Sequence, residues 1–322
     1  MNSKLWLIGC GGMSVDYAKV LNALNCNFEV IGRGETSALA FQEKVSKEVI
    51  QGGLDAFIAT KPKAPELAIV SVGVEQLATT TIALLNLGVK KILVEKPAGL
   101  NLDEIAEVNR LSEQQGAEIF VAYNRRFFSA VKAAQQIIEE DGGVESFNFE
   151  LTEWGHVVRK IKKAEGVLEN WFLANTTHVV DLAFFLGGKP TKLSSFTSGG
   201  TDWHSRSSNF CGAGLTHTGA LFCYNGNWSA PGRWSVEVLT SKHRLILRPM
   251  EQLQLQKIGS VEIDYVDIND ALDIKYKPGL FDQVEKFVSA QYEGLCSIKE
   301  QLEMVAYYEQ MAGYRSLGLT EP

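Results

Sequence analysis

The chain has 322 residues, 45% hydrophobic and 21% charged, which suits a soluble globular protein long enough for two domains with separate cores. Its formal net charge of -7 repels phosphate backbones and anionic lipid, so neither nucleic acid nor a membrane surface is an expected partner. The five cysteines, Cys10, Cys26, Cys211, Cys223 and Cys296, form no CxxC pair, which argues for reduced thiols in the cytoplasm rather than a disulfide framework or a zinc site.

In chain order, Leu5 to Ile8 reads as a buried strand; it is too short for a signal peptide. Met13 to Leu24 has helical periodicity, and Phe28 to Ile31 is a second strand. Thr36 to Val45 reads as a helix capped by Thr36 or Ser37. Leu67 to Val72 is a near-continuous apolar run, which places Ser71 at a strand end. Gln76 to Leu87 reads as a helix stopped by Gly88, Ile92 to Val94 as a strand, and Leu102 to Gln115 as a helix followed by Gly116. Glu118 to Ala122 closes the series. Apolar strands alternating with helices predict a parallel sheet covered on both faces.

Beyond residue 122 the rhythm changes. Phe127 to Glu140 reads as a helix, Val144 to Trp154 as an exposed strand, and Thr177 to Leu186 as a helix ended by glycines. Several strands with turn signals run from Leu193 to about Ile268, and helices Phe281 to Tyr292 and Ser297 to Ala312 close the chain. The expected fold is an α/β Rossmann domain over residues 1–122 and an α+β domain with a mostly antiparallel open sheet over residues 123–322. No segment reaches the roughly 18 to 20 apolar residues of a membrane span.

Gly9-Cys10-Gly11-Gly12-Met13-Ser14 joins the first strand to the first helix. Gly9 and Gly11 fit the first two glycines of GxGxxG, and Ser14 stands small in the third place. Such a turn brings the backbone of Gly11, Gly12 and Met13 to a pyrophosphate, which the helix N-terminus stabilises. NAD binders usually end the second strand with an acid that holds the ribose hydroxyls. Here Glu29 comes too early, and Gly32-Arg33 occupy that place. A guanidinium there can pair with a 2′-phosphate, helped by Thr36 or Ser37, which favours NADP(H) over NAD(H). The competing reading makes Arg33 a solvated loop cation and gives the ribose to Glu35.

Glu95-Lys96-Pro97 follows a strand, which puts Lys96 at the carboxyl edge of the sheet, where open α/β folds bind ligands. With the glycine turn, Asn124-Arg125-Arg126-Phe127 and Thr177-His178-Val179-Val180-Asp181-Leu182, the chain resembles the Gfo/Idh/MocA oxidoreductases. The resemblance implies an NAD(P)-dependent dehydrogenase or reductase of sugars, inositols or related polyols. It also implies a homodimer or homotetramer built on the open sheet. It makes Glu95 and Lys96 cofactor contacts, with Ser71, and makes Lys96 the group that touches the reacting oxygen. An ammonium there stabilises developing alkoxide charge and relays a proton. It assigns acid–base work to His178 as well, but the aspartate common four residues earlier is Ala174 here. Asn175 beside it can orient a hydroxyl but cannot take a proton.

Asn124 and Arg125 are candidate substrate contacts at the domain crossover. Trp154, ending the second domain's first strand, can stack on a sugar face. Asp181 sits three residues after His178, on nearly the same helical face, and is open to substrate contact or to a salt bridge. The remaining histidines, His156, His204, His217 and His243, show no metal-ligand spacing, so no metal is expected. Ala174 keeps alive a reductase of an unsaturated or imine-like substrate. A non-catalytic dinucleotide- or sugar-binding regulator is the rival of another class.

Overall fold

The computed structural model describes residues 4–314. Among them the chain forms two compact units, one running to Asn124 and rejoined by Leu272–Leu302, the other formed by Arg125–Ala271 and the stretch from Glu303 onward. A single boundary between residues 122 and 123 therefore does not describe the chain, because a C-terminal segment returns to the first unit.

The first unit holds β1 (Leu5–Ile8), α1 (Gly12–Ala23), β2 (Phe28–Ile31), α2 (Glu35–Val45), β3 (Val49–Ile50), α3 (Gly53–Ala59), β4 (Leu67–Val70), α4 (Leu77–Leu87), β5 (Lys91–Glu95), α5 (Leu102–Gln115) and β6 (Glu118–Ala122). The six strands are parallel in the order β6-β5-β4-β1-β2-β3, and Cys296–Ser297 adds an antiparallel edge beside β6. Every residue of β1 and β4 is buried, as the uninterrupted apolar runs predict for a sheet covered on both faces. The strand order reverses between β1 and β4, and this is where an open α/β sheet forms a crevice at its carboxyl edge.

Helix ends follow local chemistry. Gly88 and Gly116 close α4 and α5 in the left-handed conformation, at φ 97° and 60°, as expected of C-terminal glycines. Asn101 caps α5 by accepting from the Glu104 amide at 3.0 Å. By contrast, α2 begins at Glu35 after Gly34 with no side-chain cap, so neither Thr36 nor Ser37 serves as one. β3 and α3, too short to show a period, are additions that the apolar pattern did not announce.

The second unit contains α6 (Ser129–Glu140), β7 (Ser146–Glu150), α7 (Gly155–Val158), α8 (Thr177–Gly187), β8 (Pro190–Ser198), β9 (Asn209–Thr216), β10 (Leu221–Asn227), β11 (Ser235–Leu239), β12 (His243–Leu247), β13 (Gln254–Lys257) and β14 (Asp264–Tyr265). Its sheet runs β14-β13-β12-β11-β7-β10-β9-β8 and is antiparallel except between β7 and β10. Alternation sends Phe147, Phe149, Phe222 and Tyr224 to one buried face. Phe184 of α8 meets the first three of these rings edge-on at 5.9, 5.7 and 5.0 Å, a favourable aromatic geometry. The opposite face leaves Phe196, Cys211, Leu221 and Cys223 exposed. The expected strand to Trp154 stops at Glu150, and Trp154 directly precedes α7. Among the described residues no helix is long and apolar enough to cross a membrane.

Candidate functional site

In the first unit the glycine turn sits at the crevice. Gly9 has φ 117°, and a Cβ there would overlap the Ser71 carbonyl oxygen. The position therefore needs glycine for both conformation and space. Gly11 differs: a Cβ there would meet nothing within 4 Å. The protein's own packing does not demand its smallness, so the space above it is left for a ligand approaching the N-terminus of α1. Ser14, fully buried, bridges α1 to the end of β4 through its hydroxyl, 3.2 Å from Ser71 Oγ and 3.3 Å from Ser71 O. A groove of about 600 Å³ opens here, with Gly9, Gly11, Gly12, Met13, Arg33 and Ser71 all on its wall.

The rim beside β2 shows why no acid follows that strand. A Cβ on Gly32 would lie 2.7 Å from Cys10 Sγ and 2.8 Å from Val49 Cγ1, so a larger side chain has no room. Burial pushes the Cys10 thiol pKa up. Glu29 is occupied inside the strand by Lys4 and the Trp6 indole, at 3.0 and 2.9 Å. Arg33 is exposed and has no carboxylate partner among the described residues. Ser37 lines the groove, whereas Thr36 and Glu35 do not. Asp55 of α3 joins the same wall, a carboxylate that sequence reasoning missed because α3 itself was not read.

Glu95 and Lys96 end β5, the neighbour of β4, and lie outside the groove's lining. The Lys96–Pro97 peptide is cis. Glu95 accepts from the buried Tyr17 hydroxyl at 2.7 Å. Burial raises its pKa, against the Tyr17 hydrogen bond and the charges of Lys96 and Lys277. Tyr17 is itself pushed well above the usual phenol range by burial and by Glu95. The returning segment braces this corner. Gln301 donates to Pro97 O at 3.1 Å, and Lys277 lies 2.9 Å from Met13 Sδ. Asn124, expected at the substrate, is buried and donates instead to Pro278 O at 2.9 Å. Its amide clamps the return of the chain, a correction that only the long-range contact reveals.

The second unit gathers the other candidates around Trp234. A π-helical turn, Phe172–Thr176, runs directly into α8 with no side-chain cap. Such turns recur at functional sites. Thr177 bonds back to Leu173 O at 2.8 Å, while Thr176 and Asn175 donate to Glu153 Oε1 at 2.8 and 2.9 Å. The bond to Glu153 fixes the Asn175 amide by its nitrogen. Ala174 is buried, and the carboxylate of this neighbourhood comes from Glu153, with its side chain 2% exposed. His178 is the second residue of α8, half-buried, with its ring 6.1 Å from that of Trp234. Arg125 stacks 5.0 Å from the Trp234 ring, and Arg233 lies 4.2 Å from Trp234 and 5.0 Å from Trp154. Trp154 is half-exposed and hydrogen-bonds Gly232 O at 3.1 Å.

Arg125, Trp154, Asn175 and His178 are thus brought together, and Asp181, one turn along α8 from His178, is buried. Its carboxylate, 2% exposed, pairs with Arg126 at both oxygens, with Nε–Oδ2 at 2.8 Å. Of the two roles open to it from the sequence, substrate contact or salt bridge, the buried ion pair is the one seen. Sequence reasoning overlooked Arg233, whose only signal was its place after the Pro231-Gly232 turn, whereas Trp234 has the same potential as Trp154 to stack on a sugar face. His204 is taken by Ser207 O and the Tyr314 hydroxyl, and burial lowers its pKa. Among the described residues no group of three or more His, Cys, Asp or Glu could hold a metal ion.

Residues 4–123 match the family model Gfo/Idh/MocA, described as an oxidoreductase family with an NAD-binding Rossmann fold. Residues 4–123 belong to the Gfo/Idh/MocA oxidoreductase family. This stretch is the family's NAD-binding domain, and the chain is an oxidoreductase. No curated protein matches it in sequence. Its fold is similar to that of a UDP-N-acetylglucosamine 3-dehydrogenase from Acidithiobacillus ferrooxidans, with 14% identity, 97% of each chain covered and a TM-score of 0.75. It is similar also to a levoglucosan dehydrogenase solved with NADH and L-sorbose, with 17% identity, 97% of this chain and 96% of that one covered and a TM-score of 0.76. A Clostridium difficile dehydrogenase gives 15% identity, 98% and 100% coverage and a TM-score of 0.78. At these identities the likeness establishes the fold.

Two tests follow from the contacts. Gly9→Ala is expected to lose about 1 to 3 kcal/mol of stability in urea unfolding, whereas Gly11→Ala stays within about 0.5 kcal/mol and weakens dinucleotide binding in a fluorescence titration. Asp181→Ala strands the buried Arg126 charge and is expected to cost about 3 to 5 kcal/mol. A normal unfolding midpoint for that variant would contradict a structural role.

Proposed function

We propose that the chain is a dehydrogenase or reductase that transfers a hydride between NADP(H) and a secondary alcohol or ketone of a sugar-like substrate. The carrying observation is the cradle at Gly11, open to a ligand at the N-terminus of α1, on a domain whose family binds a nicotinamide dinucleotide. Backbone amides and the helix dipole there suit a pyrophosphate. When bound, the nicotinamide supplies or accepts the hydride.

The chain's own residues supply the rest. Lys96 stabilises the oxygen as it gains alkoxide character and passes its proton on. The Glu95 carboxylate beside it, bonded to Tyr17, keeps the turn in register. His178 has the ring chemistry for proton transfer near neutrality. Asn175, held by Glu153 through its amide nitrogen, has its amide oxygen to offer a substrate hydroxyl. Ala174 at the family's usual aspartate position supports a second reading, a reductase of an imine-like or unsaturated substrate that needs less acid–base help.

The preference for NADP(H) rests on Arg33 and Ser37 in the groove, with no room at Gly32 for an acid. Asp55 on the same wall supports NAD(H) instead, as an acceptor for ribose hydroxyls. The protein is further proposed to work in the cytoplasm as a homodimer or homotetramer through the open sheet, where Phe196 and Leu221 are exposed.

Titration with NADPH and NADH tests the cofactor assignment. NADPH is expected to bind at least about tenfold more tightly, or 1.4 kcal/mol, and Arg33→Ala to remove that margin without weakening NADH. A loss confined to NADH in Asp55→Asn would reverse the assignment. Lys96→Ala is expected to lower kcat about 10²- to 10³-fold, a larger loss than its effect on cofactor affinity in the same titration. Tight cofactor binding with no turnover across a sugar and polyol panel would point to the non-catalytic regulator.

A further inference from the structure

The surroundings of Trp234 are more basic than a neutral sugar requires. The Arg233 guanidinium touches two indoles, at 4.2 and 5.0 Å. Such stacking holds the planar fork in one orientation and leaves its edge for hydrogen bonds. That edge carries five N–H donors, yet Arg233 has one acceptor among the described residues, Glu153 Oε2, at a long 3.4 Å. The other Glu153 oxygen is already taken by Asn175 and Thr176. The Arg233 side chain remains 43% exposed, so ligands can reach it. Arg125 adds a second guanidinium against the same Trp234 ring, on the residue that also neighbours His178. The result is a stacked, partly exposed guanidinium edge on a chain of net charge -7, only loosely engaged by Glu153. Its attraction acts at short range, since salt screens exposed charges beyond about 8 Å.

We propose that Arg233 reads an oxyanion on the substrate, a carboxylate or a phosphate, so that the substrate is an acidic or phosphorylated sugar rather than a neutral polyol. The inference rests on the dehydrogenase reading and narrows its substrate class. The fork fits either anion bidentately, Trp154 and Trp234 hold that fork in place, and Glu153 aligns Asn175 for the sugar hydroxyls.

The test is calorimetric titration of the NADPH-loaded protein with D-glucuronate, D-glucose 6-phosphate and D-glucose. At least one anionic ligand is expected to bind about tenfold or more tightly than glucose, as a charge-assisted hydrogen bond provides, and the better of the two names the anion. Arg233→Met should erase the difference, and Arg233→Lys should keep part of it. Equal binding of all three sugars, binding of neither anion, or an undiminished preference in Arg233→Met would overturn the inference. Should the methionine variant not fold, the lysine variant decides: it must weaken the anionic ligand more than glucose. A protein that binds neither NADPH nor NADH would instead defeat the dehydrogenase reading, a separate outcome read before any sugar is added, and one that binds NADH alone is titrated NADH-loaded.

Discussion

A carboxylate taken out of water must be surrounded by donors or cations, because an uncompensated buried charge costs several kcal/mol. Glu95, Glu153 and Asp181 each meet that requirement differently, and each arranges the side chains around it. Glu95 gathers Tyr17, with Lys96 and Lys277 nearby. Glu153 takes Asn175, Thr176 and Arg233. Asp181 is neutralised by one guanidinium in a two-point pair. The first two hold residues with chemistry to perform, and the third holds the helix that presents His178.

Steric demand does comparable work at the dinucleotide crevice. Two neighbouring glycines answer to different pressures: Gly9 to the Ser71 backbone, Gly11 to nothing in the protein. Gly32 answers to Cys10 and Val49, and by excluding a larger side chain it decides which charges remain at the rim. Ser14 turns a departure from the glycine pattern into a tie between α1 and the end of β4.

The segment Leu272–Leu302 gives the first unit its support from a distance in sequence. Asn124 grips it at Pro278, and Gln301 holds the carbonyl of Pro97. The turn after β5 is therefore held from behind by residues about two hundred positions away. Local sequence alone would leave the lysine turn a loop with no fixed orientation, and a reacting group needs a supported one.

Much of the architecture was determined by the sequence itself. The apolar runs of β1 and β4, the glycines ending α4 and α5, and the turn at Gly9 to Ser14 are local signals, set by backbone sterics and by burial on both sheet faces. They were sufficient for the Rossmann domain and for Lys96 at a strand end. Tertiary structure decided what depends on meetings between distant residues. It made Asn124 a clamp and Asp181 an ion-pair partner, ended β7 before Trp154, and returned residues 272–302 to the first unit. It also brought Glu153, Asn175, Arg233 and Trp234 together from separate stretches of the chain. No periodicity encodes such a cluster, because its energy lies in desolvated charges and stacked rings that exist only once the chain has folded.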